Sequence, residues 1–240
     1  MSVESPTPHG LALPGARSPD PTRRPTGPPA GPPRRVPDPR LVPARPVTSL
    51  SARRPPWLLR TLRGLIDSRP LLATEHSRIV RVGVGFGQLL GLPRRALADL
   101  AWGLLLHDVG KLAVPDAILQ KSGRLTDFEY TLVKKHPAVG EVLLAEFSLP
   151  GPVMEIVRSH HERWDGTGYP DGLAGVRIPL LARVASIVDA YDAMTTPRPY
   201  RPVPLTVPEA LQELRRCSGT QFDPYLVCAF SAVLRARERR

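Results

Sequence analysis

The sequence predicts an all-α fold, a helical bundle with one specialised loop, preceded by a tail without regular structure. From Trp57 onward, apolar residues recur mostly at spacings of three and four, which is typical of helices packed on a common core. No segment shows a convincing strand-like alternation of apolar and polar residues. Between residues 162 and 178 the helical spacing stops, and Gly166, Gly168, Pro170 and Gly172 indicate a loop.

The predicted tail covers residues 1–56, and the folded domain covers residues 57–240. Of the 30 prolines, 16 lie in the first 56 residues. Proline lacks an N–H and clashes with the preceding turn, so such a segment continues neither a helix nor a central strand. It also has too few apolar residues to offset the entropy of ordering. We therefore expect a disordered, partly polyproline II tail.

Deleting residues 1–56 is expected to leave the melting temperature and the specific activity of the domain nearly unchanged, because the tail cannot join the core. Thermal unfolding of the truncated and full-length chains checks this. A large fall in the melting temperature on truncation would show that the tail is part of the fold.

Nine helices are predicted after the tail, and three of their starts carry a chemical signal. Thr126 and Thr206 are each followed three residues later by glutamate, which is the pattern of a capping box. Asp223 stands before a proline, as an N-cap before the first helical position. The predicted helices are 58–67, 76–91, 94–107, 126–135, 138–148, 151–161, 179–195, 207–216 and 223–237.

Charge and composition narrow the class of protein. The formal net charge is +11, and roughly half of it comes from the arginine-rich tail. The domain is only mildly basic, so an anionic small molecule suits it as well as DNA or RNA, and no stable nucleic-acid partner is expected. No secretory signal opens the chain and no apolar run is long enough to span a membrane. Cys217 and Cys228 lack metal-ligand spacing, and together these features predict a cytoplasmic protein with free thiols.

Histidines and carboxylates provide the candidate chemistry. Asp189 follows Ile187 and Val188 in an apolar helix, where a carboxylate is costly unless it is paired or binds a cation. Imidazole and carboxylate ligands without thiolates suit iron, manganese, zinc or nickel in a hydrolytic site, and six or seven candidates favour two ions. Scattered histidines without a shared role are the alternative. Outside the tail the histidines are His76, His107, His136, His160 and His161.

Four motifs, taken together, resemble a known family. Residues 107–115 read His-Asp-Val-Gly-Lys-Leu-Ala-Val-Pro, and residues 160–170 read His-His-Glu-Arg-Trp-Asp-Gly-Thr-Gly-Tyr-Pro. Residues 189–201 contain Asp-Ala-Tyr-Asp-Ala-Met-Thr followed by Arg-Pro-Tyr-Arg, and residues 219–224 read Gly-Thr-Gln-Phe-Asp-Pro. In this order, the blocks are similar to those of the HD-GYP phosphodiesterases, from about residue 70 to the end of the chain. The resemblance implies an HD-type helical bundle.

The resemblance also implies a metal site with two divalent ions, iron or manganese. Asp108 corresponds to the aspartate that bridges both ions. One ion is expected on His76, His107 and Asp189, and the other on His136, His160 and His161. In some members a carboxylate four residues before the first histidine adds a third ion, but Leu72 stands there, so we expect none.

Other residues match the substrate-binding positions of the family. Lys111 corresponds to a cation that acts near the phosphoryl oxygens. Arg198 and Arg201 match arginines that hold substrate phosphates, and Tyr169 matches the wall on the guanine side. Pro197 replaces the aspartate that often precedes the arginines, which predicts a changed loop there.

The function implied is hydrolysis of cyclic di-GMP to pGpG, with further cleavage to GMP left open, in second-messenger signalling. Two alternatives remain at this point. One is a phosphohydrolase for another nucleotide, such as cyclic GMP–AMP. The other is a non-catalytic adaptor that binds a signalling protein through the Gly-Tyr-Pro loop.

Overall fold

The computed structural model describes residues 76–197 and 203–238, together with Gly64. Over this part the chain is helical, and its only strand-like feature is an isolated bridge between Ser218 and Phe222. The all-α prediction is thus confirmed. The described α-helices are α1 (His76–Leu89), α2 (Arg94–Leu106), α3 (Asp116–Leu119), α4 (Asp127–Val133), α5 (His136–Leu144), α6 (Gly151–Ser159), α7 (Leu180–Thr195), α8 (Val207–Arg216) and α9 (Pro224–Glu238).

Most predicted helices are present within one or two residues of their expected bounds. The helix predicted at 138–148 begins two residues earlier, at His136, because Pro137 fits the first turn, where no N–H is needed. Its predicted end is wrong: the helix stops at Leu144, and a 3₁₀ turn then leads to Ser148 in the left-handed region, which cannot continue a helix. Short elements were not predicted: α3, and 3₁₀ turns at Val109–Ala113, Ala145–Phe147 and Gly175–Arg177. The tail 1–56, its boundary with the domain and the helix 58–67 lie outside the described residues.

The predicted helix caps are formed. Thr126 accepts a hydrogen bond from the Glu129 N–H (3.2 Å), and the Glu129 carboxylate accepts one from the Thr126 N–H (2.7 Å). The same reciprocal pair joins Thr206 and Glu209 at the start of α8. Asp223 accepts from the Tyr225 N–H at 2.9 Å before α9. These contacts satisfy N–H groups that have no partner inside the helix.

Close packing of α2 on α6 brings their C-terminal ends together. A Cβ on Gly103 would lie 2.2 Å from Ile156 Cδ1 and 2.7 Å from Ile156 Cβ, so the small residue allows the two helices to approach. His107 follows α2 and His160 follows α6, and their ring centroids are 5.0 Å apart. The helix contact therefore sets the distance between these two histidines.

A second close approach places the segment after His107 against α5. A Cβ on Gly110 would lie 1.9 Å from the His136 carbonyl oxygen and 2.6 Å from the Gly140 nitrogen. Both atoms belong to the backbone, so neither can move away by a change of rotamer. Glycine at this position thus lets the 3₁₀ turn Val109–Ala113 lie on the first turn of α5, next to His136.

Helix α9 closes the bundle on the side of α1 and α7. The ring of Phe230 meets Phe86 at 4.9 Å and Tyr191 at 5.2 Å between centroids, both edge to face, which is a favoured arrangement of aromatic rings. Among the described residues, no helix has both the length and the apolar character needed to cross a membrane.

Candidate metal centre and active site

A carboxylate lies among three histidines where the helix ends meet. Asp108 Oδ1 is 3.2 Å from His136 Nε2 and 3.9 Å from His160 Nε2. Four side chains each offer one nitrogen or oxygen atom, and these atoms all lie within 4.8 Å of one another. The four residues are Asp108, His136, His160 and His161. This group of nitrogen and oxygen donors can hold a divalent metal ion.

The second oxygen of Asp108 faces a different group. His107 Nε2 lies 3.4 Å from Asp108 Oδ2 and 3.6 Å from Asp189 Oδ1. Asp189 lies on α7, and its side chain is 27% exposed. The two oxygens of Asp108 are therefore directed at separate side chains, with His107 on one side and His136 and His160 on the other.

The same local contact fixes the ring orientation of three histidines. The Nδ1 atoms of His107, His136 and His160 lie 2.8, 2.8 and 3.0 Å from the carbonyl oxygens three residues earlier in the chain. Those carbonyls are at the C-terminal ends of α2, α4 and α6, where they lack a helical partner. Because a carbonyl only accepts, Nδ1 carries a proton, and in the neutral form of the ring Nε2 keeps a free lone pair. Metal-binding histidines are oriented by such contacts.

Two observations show that these residues fit a cation. His136 Nε2 and His160 Nε2 are 3.2 Å apart, and two lone pairs at this distance repel unless a positive charge lies against them. Asp108 Oδ1 is buried and, among the described residues, accepts no hydrogen bond. A buried, unsatisfied carboxylate oxygen is costly. A bound metal ion would remove both costs.

Burial keeps two of the histidines neutral. It lowers the pKa of His160 well below the usual value, and neighbouring His107 and His136 lower it further. Burial and then His160 and His136 lower the pKa of His161 in the same way. Neutral imidazole is the form that binds a metal ion.

Two neighbouring carboxylates, Asp108 and Asp189, change the pKa of His107 in the opposite direction. Burial alone would lower the pKa of His107, but Asp108 and Asp189 outweigh it and raise this pKa to about 9. Burial would raise the pKa of Asp108, but Lys111 and His107 hold it well below the usual value. Asp108 is thus ionised at neutral pH and available as a ligand.

Lys111 lies directly beside the shared carboxylate. Its Nζ is 2.6 Å from Asp108 Oδ2, three residues away along the 3₁₀ turn, and its side chain is 27% exposed. A lysine with this partial exposure can reach both the carboxylate and a molecule at the mouth of the site.

The Gly-Tyr-Pro loop, residues 162–178, covers one side of the cluster. The ring of Tyr169 stacks on His161, with 4.9 Å between centroids and an angle of 24° between planes. The Tyr169 N–H also donates to the His161 carbonyl oxygen at 3.3 Å. The loop therefore places an aromatic face next to a histidine of the cluster.

Contacts that were not predicted fix this loop in place. Arg158 on α6 binds both oxygens of Asp171, at 2.7 and 2.8 Å, and also contacts Glu141 on α5. Glu162 is 3% exposed and accepts hydrogen bonds from the loop backbone. Glu162 carries a signal in the sequence, since it follows two candidate ligands, whereas nothing distinguishes Arg158 from a surface arginine.

The start of the loop also pairs with the C-terminal motif at residues 219–224. The Asp165 N–H donates to the Thr220 carbonyl oxygen at 2.8 Å, and the Trp164 N–H donates to that of Gln221 at 3.1 Å. The motifs at 160–170 and 219–224, distant in the sequence, are therefore paired through their backbones.

The structure brings together seven of the predicted site residues: Lys111, Tyr169, His107, Asp108, His136, His160 and His161, and it places Asp189 beside His107. The backbone of His76 begins α1, but its side chain is outside the described part of the chain. Arg198 and Arg201 lie outside the described residues. The roles of all the predicted site residues remain predictions.

Comparison with known proteins agrees with the geometry. The model of the HD domain family matches residues 60–226. A cyclic di-GMP phosphodiesterase of Pseudomonas aeruginosa is 38% identical over 183 residues, which are 76% of this chain and 44% of that protein. A 3′3′-cGAMP-specific phosphodiesterase of Vibrio cholerae is 41% identical over 173 residues, which are 71% of this chain and 33% of that protein. The chain thus spans less than half the length of either relative.

A solved structure supports the fold. It is described as an HDG"Y"P protein of Bdellovibrio bacteriovorus, and it superposes with a TM-score of 0.57 at 22% identity, over 75% of this chain and 59% of that one. The family match covers more than half of the chain and includes the helix-end histidines and Asp108. The chain belongs to the HD domain family, as its HD-GYP motifs predict.

Proposed function

We propose that this domain hydrolyses a 3′–5′ phosphodiester bond of cyclic di-GMP and releases linear pGpG. The observation that carries the proposal is the position of Asp108. One oxygen faces His136 and His160, and the other faces His107. A carboxylate shared in this way is the usual centre of a two-metal site for attack on a phosphate.

Two divalent ions, iron or manganese, are the proposed cofactors. Asp108 would be shared, His107 with Asp189 and His76 would hold one ion, and His136, His160 and His161 would hold the other. When bound, such ions polarise the phosphoryl oxygens and make water available as a nucleophile at neutral pH. The nitrogen and oxygen donors described above suit both metals.

The side chains around the cluster would bind and orient the substrate. Lys111 carries a positive charge beside Asp108, where it can move to a phosphoryl oxygen and stabilise the charge that develops there. The ring of Tyr169 is fixed against His161 and offers a flat wall to a guanine base. Arg198 and Arg201 would hold the substrate phosphates through paired N–H donors.

The substrate is tested with metal-loaded protein, prepared without oxygen, and a panel of cyclic dinucleotides with separation of the products. We expect cyclic di-GMP to be cleaved with the highest kcat/KM. Relatives of this chain are named both for cyclic di-GMP and for 3′3′-cGAMP. Faster cleavage of cyclic GMP–AMP would keep the reaction and change the substrate.

Substitution of the three positively charged side chains is expected to separate effects on substrate binding from effects on the chemical step. Arg198→Ala and Arg201→Ala should mainly raise KM, because these arginines would hold phosphate. Lys111→Ala should mainly lower kcat, because it would act at the scissile group. Loss of one charge-assisted contact costs about 1.5–3 kcal/mol, or roughly ten- to a hundredfold. Steady-state kinetics and metal analysis check this, and none of the three variants should lose metal.

Arg215→Ala is the matched control, since Arg215 is an exposed arginine on α8. It should retain wild-type kinetics. If the enzyme is active and all three site variants match this control, the assigned substrate contacts are wrong and the metal site stands.

An adaptor function is the second candidate, because the tip of the Gly-Tyr-Pro loop is exposed at Asp165 and Thr167. A signalling protein could bind there. The adaptor is favoured if the chain binds two metal ions and hydrolyses no cyclic dinucleotide.

The proposed compartment is the cytoplasm, and the free thiols of Cys217 and Cys228 agree with its reducing conditions.

A further inference from the structure

We propose that Glu162 is a positioning residue that holds the Gly-Tyr-Pro loop so that Tyr169 lies against His161 and forms the base-binding wall of the site. This inference rests on the proposed function and deepens it. Glu162 is not a ligand in the assignment above, and it contacts the loop instead of the cluster.

The carboxylate of Glu162 is turned inward and bound to the loop backbone. Its Oε1 accepts a hydrogen bond from the Asp171 N–H at 2.7 Å, and its Oε2 accepts one from the Leu173 N–H at 3.0 Å. The residue is 3% exposed, although glutamate is rarely buried without partners. Hydrogen bonds from N–H groups to an ionised carboxylate are about twice as strong as neutral ones. Glu162 thus fixes the loop after Tyr169.

The loop before Tyr169 is also fixed against Glu162. A Cβ on Gly168 would lie 2.6 Å from Glu162 Cα and 2.4 Å from the Arg163 nitrogen, so only glycine allows this approach of the two backbones. Tyr169 therefore lies between one contact with the Glu162 backbone and two contacts with its side chain. A small change at Glu162 would move the loop on both sides of the tyrosine.

Tyr169 connects this arrangement to the cluster. Its ring stacks on His161, and its N–H donates to the carbonyl oxygen of the same residue. His161 and Glu162 are neighbours in the chain, so one short segment supplies both the histidine and the anchor for the ring that covers it. Displacement of the loop would move the ring of Tyr169 away from His161. The Nδ1 contacts that orient the other histidines of the cluster would be kept.

Glutamine cannot replace this carboxylate. The two oxygens of Glu162 each face an N–H donor, whereas glutamine would present its NH₂ group, itself a donor, to one of them. Glu162→Gln therefore removes one hydrogen bond and leaves a loop N–H without its acceptor, with almost no change of side-chain volume. The matched control is Glu155→Gln, which removes the same charge from an exposed position on α6.

The first measurement is hydrogen exchange of the full-length protein without substrate. In Glu162→Gln the backbone N–H groups of Asp171 and Leu173 should exchange faster than in the wild type, while those of α6 stay unchanged. Glu155→Gln should show neither effect. This measurement needs no catalytic activity, so it remains decisive if the chain hydrolyses no cyclic dinucleotide. Unchanged exchange at both loop residues would overturn the proposal.

The second measurement is binding of a non-hydrolysable phosphorothioate analogue of cyclic di-GMP to the metal-loaded protein. Glu162→Gln should weaken binding by about tenfold or more, and kcat should fall by a smaller factor than KM rises, because Glu162 does not touch the reacting atoms. Metal content should stay at the wild-type value. Loss of metal together with binding would mean that Glu162 acts on the ligands, and the proposal would be wrong.

A double-mutant cycle with Tyr169→Ala identifies the route of the effect. If Glu162 acts through Tyr169, Glu162→Gln should cause little further loss of binding once the ring is absent. Additive losses in the double variant would show that Glu162 only stabilises the fold. If the wild type binds the analogue but cleaves no cyclic di-GMP, the proposed reaction fails and the role of Glu162 in binding stands.

Discussion

Asp108→Ala is expected to abolish turnover and to reduce the bound metal towards one ion or none. The two oxygens of Asp108 face different histidines, 3.2 Å from His136 Nε2 on one side and 3.4 Å from His107 Nε2 on the other. Removing a shared ligand weakens both sets at once and leaves the buried histidines without their negative neighbour. Metal analysis and steady-state kinetics of the purified variant measure the effect.

Two variants make this test specific. Asp108→Asn keeps the shape of the side chain and removes its charge, so it should lose activity as well. Asp127→Ala removes an exposed carboxylate at the start of α4 and should keep the metal content and activity of the wild type. An Asp108→Ala variant with full metal content and full activity would rule out a shared carboxylate.

Gly110→Ala is expected to destabilise the fold and to disturb the site together. The added Cβ would lie 1.9 Å from the His136 carbonyl oxygen, so the 3₁₀ turn and α5 would have to separate. Overpacking of this kind costs typically 1–3 kcal/mol, and we expect about 3 kcal/mol because backbone atoms cannot rotate away. For a domain of this size the melting temperature should fall by about 6–12 °C.

The control for this prediction is Gly151→Ala at the start of α6. Apart from the neighbouring residues, no atom lies within 4 Å of the Cβ that it would add. An alanine before Pro152 is mildly disfavoured in the α conformation, so the variant should lose much less stability than Gly110→Ala. Differential scanning calorimetry compares the two variants. If Gly110→Ala were as stable as Gly151→Ala, the contact between the 3₁₀ turn and α5 would not hold in solution.

Features that depend on neighbouring residues could be predicted from the sequence. The capping boxes at Thr126 and Thr206 form because each threonine and its glutamate are close in the chain. The histidine contacts at helix ends are equally local, since each Nδ1 reaches a carbonyl three residues earlier. The ligands are assigned from the resemblance of the four motifs to a known family, and that assignment remains a prediction.

Features that depend on tertiary contacts could not be predicted in this way. The 3₁₀ turn Val109–Ala113 exists where Gly110 meets the backbone of α5, and periodicity does not reveal such a meeting. The pairing of Arg158 with Asp171 requires the loop to return to α6. The burial of Glu162 depends on the same return, since its partners lie nine and eleven residues later.

The dependence of cyclic di-GMP hydrolysis on bound metal tests the central claim most directly. Protein freed of metal by a chelator is loaded stepwise with iron or manganese, and the rate is measured against the number of ions bound per chain. We predict no hydrolysis without metal and a rate that rises as the second ion binds, with pGpG as the first product. A metal-free chain that is as active as the loaded one, or a chain with two bound ions that cleaves no cyclic dinucleotide, would contradict the account.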